Sequence, residues 1–182
     1  MPALTPATFG GLGGKRTVLF MAIDHLAEAL GAGGEPVPLP AGAPLGRIRV
    51  DTERCTLCMG CVGVCPAKAL SDGGDQPQLL FYEQNCVQCG LCEQACPERA
   101  ITREARLLPD PARRSEKTLL NEEPVFHCVS CGKPFATKKM IDRITAKLAG
   151  HHMYQDAQAI RRLQMCDDCR VRDMFGGTRS HG

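Results

Sequence analysis

The chain has 182 residues, 12 of them cysteine, with aromatic residues at only 4% and no tryptophan. That length suits one or two small domains, and so few aromatics leave a thin apolar core, so metal centres are expected to supply part of the folding free energy. A disulfide framework would need an oxidising compartment and a secretory signal, and Met1–Gly14 shows no basic region followed by an apolar run; the protein is read as cytoplasmic, its thiols kept reduced for metal.

The longest apolar stretch, Val18–Ile23, is far too short to span a bilayer, so no membrane span is expected. The net charge of +2 hides an uneven distribution: residues 47–105 carry −2 and residues 106–182 carry +5. An acidic module beside a basic one can dock intramolecularly or present two faces to partners.

In chain order, residues 1–14 read as unstructured. Lys15–Leu30 places Leu19, Ile23, Leu26 and Leu30 at helical spacing, which predicts an amphipathic packing helix ended by Gly31-Ala32-Gly33-Gly34. No packing partner for that helix is evident within the chain. A Pro/Gly/Ala linker completes the segment 1–46, and a short strand follows at Arg47–Asp51. From 51 to 101 the chain repeats itself at a constant offset of 31: Cys55/Cys86, Cys58/Cys89, Cys61/Cys92, Cys65/Cys96, Pro66/Pro97 and Ala69/Ala100 coincide. Ser71–Asp75 reads as a turn and Gln78–Tyr82 as a strand. Two strand–cysteine loop–helix–strand units related by an approximate two-fold axis follow for residues 47–105. Residues 106–124, with Pro109 and Pro111, read as an extended linker. A four-cysteine module spans 125–175, with helices at Lys138–Ala149 and Ala157–Met165, and 176–182 reads as a flexible tail.

Each repeat has the form C-x2-C-x2-C-x3-C-P. A cubane presents four iron corners, each needing a thiolate; closely spaced cysteines wrap three of them, and in this arrangement the fourth cysteine serves the other cluster. Cys55, Cys58, Cys61 and Cys96 are therefore expected to hold one [4Fe–4S] cluster, and Cys86, Cys89, Cys92 and Cys65 the second. A pair of zinc sites is the competing reading, but zinc knuckles come as separated C-x2-C pairs rather than runs of four with a trailing proline.

The four remaining cysteines do form separated pairs. Cys128/Cys131 and Cys166/Cys169 stand 34 residues apart, which matches a closed structural Zn²⁺ site; a third iron–sulfur cluster is the alternative, with thiol redox chemistry or no metal behind it. His127, His151 and His152 are read as solvated or supporting groups, since four thiolates complete the shell. Lys138, Lys139, Arg143, Lys147, Arg161, Arg162, Arg170 and Arg172 cluster around this module. Without interleaved aromatics the pattern is read as a solvated or salt-bridged face rather than a nucleic-acid surface.

On these repeats, residues 47–103 resemble a bacterial 2[4Fe–4S] ferredoxin domain. The resemblance implies an α+β chain: a (βαβ)2 ferredoxin-type dicluster domain, here followed by a small helical four-cysteine, zinc-knuckle-like module. It also implies two clusters close enough for rapid electron transfer, one electron each at low potential. With Cys131-Gly-Lys-Pro-Phe135 and Met165-Cys-Asp-Asp-Cys-Arg170, the whole chain further resembles the C-terminal portion of larger proteobacterial multi-cluster ferredoxin-like proteins. That resemblance implies redox protein partners, a molybdenum-dependent formate dehydrogenase among them. The expected function is electron transfer without catalysis by the chain itself. The alternative is a redox-sensing or assembly protein whose basic zinc module binds a partner or nucleic acid; low-salt binding that weakens steeply with salt would favour it.

Overall fold

The two cysteine repeats fold into two copies of one backbone. The computed structural model describes residues 5–10, 13–32 and 34–175; the expected tail at 176–182 lies outside the described residues, as does part of the N-terminal segment 1–14. Helix α1 (Lys15–Ala29) and a two-residue strand, β1 (Val37–Pro38), come first. The first repeat then forms β2 (Gly46–Val50), the one-turn helix α2 (Gly60–Gly63) and β3 (Leu70–Gly73). The second forms β4 (Gln76–Tyr82), the one-turn helix α3 (Leu91–Gln94) and β5 (Ile101–Leu107).

Pairing interleaves the halves. β2 lies antiparallel to β5, with Ile48 opposite Arg103, and β3 antiparallel to β4, with Leu70 opposite Phe81. Each pair thus takes one strand from each repeat, as expected of a ferredoxin-type domain with mixed helix and strand. The turn expected over Ser71–Asp75 is tighter than that. The strand continues through Gly73, and Gly74, at φ +70, makes the reversal while its N–H donates to the Asp72 carboxylate at 3.2 Å. Between the strands the apolar core is small: Ile48, Leu57, Leu70, Leu79, Phe81 and Ile101 pack with Cys61 and Cys86.

Residues 106–124 are not an extended linker. They carry α4 (Pro111–Ser115) and β6 (Lys117–Glu122), and β6 pairs antiparallel with β4, Leu80 opposite Leu119. The prolines that suggest an extended chain instead start a helix. Asp110 accepts from the Ala112 and Arg113 N–H groups, and Pro111 sits in the first turn, where no N–H is needed. Likewise β1, inside the expected Pro/Gly/Ala linker, pairs with β5.

Helix α1 forms where expected and ends in a Schellman motif at Gly31, φ +60, with the Ala32 N–H reaching the Ala27 carbonyl at 2.8 Å. Its expected packing face does not pack. Leu19, Leu26 and Leu30 are 42%, 45% and 58% exposed, and the buried residue is Phe20. The helix does have a partner within the chain, through the stripe Arg16, Phe20 and Asp24. Phe20 lies between the guanidinium groups of Arg16 and Arg114, at 4.9 and 4.4 Å from its ring centre, and Arg114 pairs with Asp24. One turn apart, those three side chains make a polar seam that outcompetes the leucine stripe. Residues 5–10 have no regular structure but touch this helix, Phe9 edge-on to His25 at 6.0 Å.

The last region is a hairpin, β7 (Val125–His127) and β8 (Pro134–Thr137), followed by α5 (Lys138–Leu148), α6 (Ala157–Leu163) and α7 (Asp167–Phe175). α7 occupies residues expected to lead into a loose end; Asp167 and Asp168 in its first turn suit the positive end of a helix.

Candidate functional site

Around each cysteine loop the backbone makes the same unusual turns twice. Leu57 and Gln88 both have φ 54; Met59 and Gly90 have φ 58 and 83; Lys68 and Arg99 have φ 51 and 49. Left-handed conformations of non-glycine residues cost energy and persist only where their surroundings fix them. Here they bend the chain into loops whose thiols turn inward. After each loop an N–H donates to the last cysteine: Ala69 to Cys65 Sγ at 3.2 Å and Ala100 to Cys96 Sγ at 3.3 Å. Immediately beyond, Tyr82 N–H bonds the Ala69 carbonyl and Asp51 N–H the Ala100 carbonyl, both at 2.8 Å, tying each loop to the strand that opens a repeat.

The interleaved strands bring the cysteines together across the repeats. One cavity is lined by Cys55, Cys58, Cys61 and Cys96; its twin by Cys86, Cys89, Cys92 and Cys65. The last cysteine of each run therefore faces the other run's cavity. Apolar side chains (Leu57, Leu79 and Ile101 in the first; Ile48, Leu70 and Phe81 in the second) form the inner walls, while Cys58 and Cys89 lie on the exposed side.

Burial, reinforced by Cys55 and Cys58, pushes the Cys61 thiol up to about 12; burial, reinforced by Cys86, pushes Cys92 up to about 11; Cys86 is also raised by burial. Thiols so placed give up their protons to a metal and not to water at neutral pH. Four convergent thiols, apolar walls and backbone donors on sulfur fit an iron–sulfur cubane in each cavity.

The C-terminal cysteines are arranged differently. The Sγ atoms of Cys128, Cys131, Cys166 and Cys169 all lie within 4.8 Å of one another, and those of Cys131 and Cys166 are 3.7 Å apart. The hairpin turn supplies the first pair, the start of α7 the second. Cys128 Sγ accepts from the N–H groups of Cys166 at 3.3 Å and Ser130 at 3.4 Å. Burial alone would raise Cys128, but these backbone donors bring it down to about 6. Cys169 moves the other way: against a lowering contact from Ser130, the neighbouring Cys131 thiol drives it up to about 12. A lowered Cys128 beside raised Cys166 and Cys169 is the electrostatics of thiols crowded together, a donor set that suits a cation. His127 and His151 stay out of this group, which is formed by the four cysteines.

The basic side chains of the last region are largely engaged. Lys139 donates to the Thr52 carbonyl at 2.7 Å and pairs with Glu123; Arg143 pairs with Glu98 and reaches the Glu53 carbonyl; Lys147 meets Glu98 at 2.9 Å. Thr137 caps α5 and donates to the Thr56 carbonyl at 3.2 Å. So α5 clamps the loop that begins the Cys55 cavity, and the intramolecular docking suggested by charge takes place. On the second loop Arg16 of α1 does similar work, donating to the Gln84 and Cys86 carbonyls, each at 2.7 Å. Neither clamp is evident from sequence spacing, because both partners lie far along the chain.

Residues 54–101 match the family model of the 4Fe-4S dicluster domain. This segment is a 4Fe-4S dicluster domain. Similar dicluster sequence occurs in other proteins. The chain is 35% identical over 88 residues to the indolepyruvate oxidoreductase subunit IorA of Methanothermobacter marburgensis, which covers 47% of this chain and 14% of that protein. It is 35% identical over 104 residues to the ferredoxin-type protein NapH of Haemophilus influenzae, covering 51% of this chain and 36% of the relative. Ferredoxin-1 of Caulobacter vibrioides is 38% identical over 54 residues, covering 29% and 46%. The chain thus spans less than half the length of each of these relatives. Among the described residues no helix is long and apolar enough to cross a membrane.

Proposed function

We propose that this chain is an electron-transfer protein or subunit that carries single electrons through two [4Fe–4S] clusters between a dehydrogenase-type oxidoreductase and an acceptor. Cys55, Cys58, Cys61 and Cys96 hold one cluster, and Cys86, Cys89, Cys92 and Cys65 the other. The crossed four-cysteine lining of the twin cavities carries this reading. The dicluster domain supplies the redox chemistry, and the residues around it position and insulate the clusters; no side chain need act as acid, base or nucleophile. Relatives named as oxidoreductase subunits support a partner of that class. A molybdenum-dependent formate dehydrogenase is the specific candidate, put forward on the whole-chain resemblance alone.

Cys128, Cys131, Cys166 and Cys169 hold a structural Zn²⁺. With Zn–S bonds near 2.3 Å, the edge of a tetrahedron of thiolates is about 3.8 Å, close to the 3.7 Å between Cys131 and Cys166. A cubane puts its own irons between the thiolates and needs them farther apart. The ion pairs that occupy Lys139, Arg143 and Lys147 weigh against a free nucleic-acid surface.

Metal and acid-labile sulfide analysis of anaerobically purified protein tests the proposal. The expected result is about eight iron and one zinc per chain. Absence of labile sulfide overturns the electron-transfer reading, and about twelve iron without zinc replaces the zinc with a third cluster.

A further inference from the structure

The internal repeat is its own control. Positions 31 residues apart share a backbone, so differences between their side chains isolate what distinguishes the two cavities. Three such differences carry charge or dipoles, and one of them puts a side-chain donor on a ligating sulfur.

Gln88 matches Leu57, both at φ 54. The Gln88 side-chain amide donates to Cys86 Sγ at 3.4 Å and to the Arg47 carbonyl at 3.0 Å, using both of its N–H bonds, while the Gln88 carbonyl accepts from Arg103 at 2.8 Å. The amide is held with a hydrogen aimed at sulfur. Leu57 can offer nothing of the kind, and among the described residues no side-chain donor reaches the sulfur of Cys55, Cys58, Cys61 or Cys96. Ala67 lines the second cavity where its repeat counterpart, Glu98, lines the first. Arg103 lines the second cavity, whereas Asp72, 31 residues earlier, is not among the residues lining the first. Glu93 offsets Arg103, and Arg143 and Lys147 together outweigh Glu98, so neither charged difference separates the cavities and the Gln88 donor is the contrast that does. Arg16 adds a guanidinium bonded to the Cys86 carbonyl at 2.7 Å, but Lys139 and Arg143 bond the Thr52 and Glu53 carbonyls of the first loop, so cations are present on both sides.

Reduction adds one electron and makes a site one unit more negative. Donors on a ligating sulfur and nearby cations stabilise that added charge; carboxylates oppose it. We infer that the site of Cys86, Cys89, Cys92 and Cys65 is the higher-potential of the two, and that Gln88 is the positioning residue that sets it apart. Electrons then rest on that side of the module, and the Cys55 side is the uphill partner. The inference rests on the proposed two-cluster reading.

Redox titration of the anaerobic holoprotein followed by EPR tests it. Wild type should give two separated one-electron waves. Gln88→Met, near in size but without a donor, should lower the upper wave alone, changing the reduced-to-oxidised ratio at fixed potential by about tenfold, 59 mV for one electron. Gln88→Leu copies a residue already present at this backbone conformation and should act in the same direction. Should neither variant assemble clusters, Leu57→Gln is read instead, and it should raise the lower wave. Movement of the lower wave by the Gln88 variants, or of neither, overturns the inference, as does a Leu57→Gln that leaves the lower wave in place. Absence of any cluster from wild type is a different failure: it removes the electron-transfer reading itself.

Discussion

Cys65 belongs to the first run of cysteines in sequence and to the second cavity in space. Cys65→Ala should therefore impair the cluster of Cys86, Cys89 and Cys92 more than that of its own sequence neighbours, and EPR of the reduced protein resolves which signal is lost; loss of the other signal refutes the crossed assignment. Gly46 is held to glycine by its neighbour across the sheet. A Cβ there would lie 2.2 Å from the Glu104 carbonyl oxygen across the β2–β5 pair. Gly46→Ala should cost about 1–3 kcal/mol of stability through this overpacking, and an unchanged melting temperature would show that the strands can part to admit it. The cysteines are legible in the sequence because their spacing is local and their chemistry narrow. Gly46 is not: the atom that forbids a side chain there belongs to a residue on β5, and in the sequence it reads as the last glycine of a linker.

Single elements show where local pattern stops being informative. The period of α1 predicts a helix and the helix forms, but the burying face follows from Arg114, distant in sequence and only 2% exposed. With Asp24 gone, that guanidinium keeps its carbonyl partners Leu108 and Pro109 but loses its counter-charge. Asp24→Ala should destabilise the docked helix by roughly 1–3 kcal/mol, discounted from a fully buried pair because Asp24 is partly exposed; hydrogen exchange across 15–29 measures it. At the other end, Asp173 on α7 pairs with Arg162 on α6 at 2.6 Å. That hydrogen bond, helped by Gln158, holds the Asp173 carboxyl below the usual range. A lowered folded-state pKa gives stability that is present above the unfolded value and lost as pH falls through the folded one. Exchange protection of α7 should therefore hold at neutral pH and fall on acidification below the ordinary aspartate range, while Arg162→Ala should lose this pH dependence. The sequence marks neither α7 nor β6. α7 owes its place to the four-cysteine cluster and the Asp173 pair, and β6 to an open edge of β4, and these are tertiary facts.

For the molecule as a whole, charge does what its uneven distribution suggests: a cationic C-terminal region sits on an anionic dicluster domain. Arg143 and Lys147 act through Glu98, and Lys139 and Arg143 through the carbonyls of Thr52 and Glu53. These contacts are mostly at the surface, where screening lengths fall to about 3 Å at 1 M salt. Raising salt should accordingly increase hydrogen exchange in residues 52–57 while leaving β4 protected, and Glu98→Gln should reproduce part of the effect at low salt. Equal protection of 52–57 at both extremes would mean that the buried Thr137–Thr56 bond alone holds the module down.

The crossed lining also imposes an order of construction. A chain emerging from the ribosome amino end first cannot complete the cavity of Cys65 until Cys92 has appeared, nor that of Cys55 until Cys96 has. Both sites are then finished within four residues of each other, so the first repeat must wait, its thiols bare, for the whole of the second. Thr137 and the rest of the clamp over the Cys55 loop follow some forty residues later. Synthesis thus leaves an interval in which both four-cysteine linings are complete while the loop at residues 52–56 is not yet tied to α5.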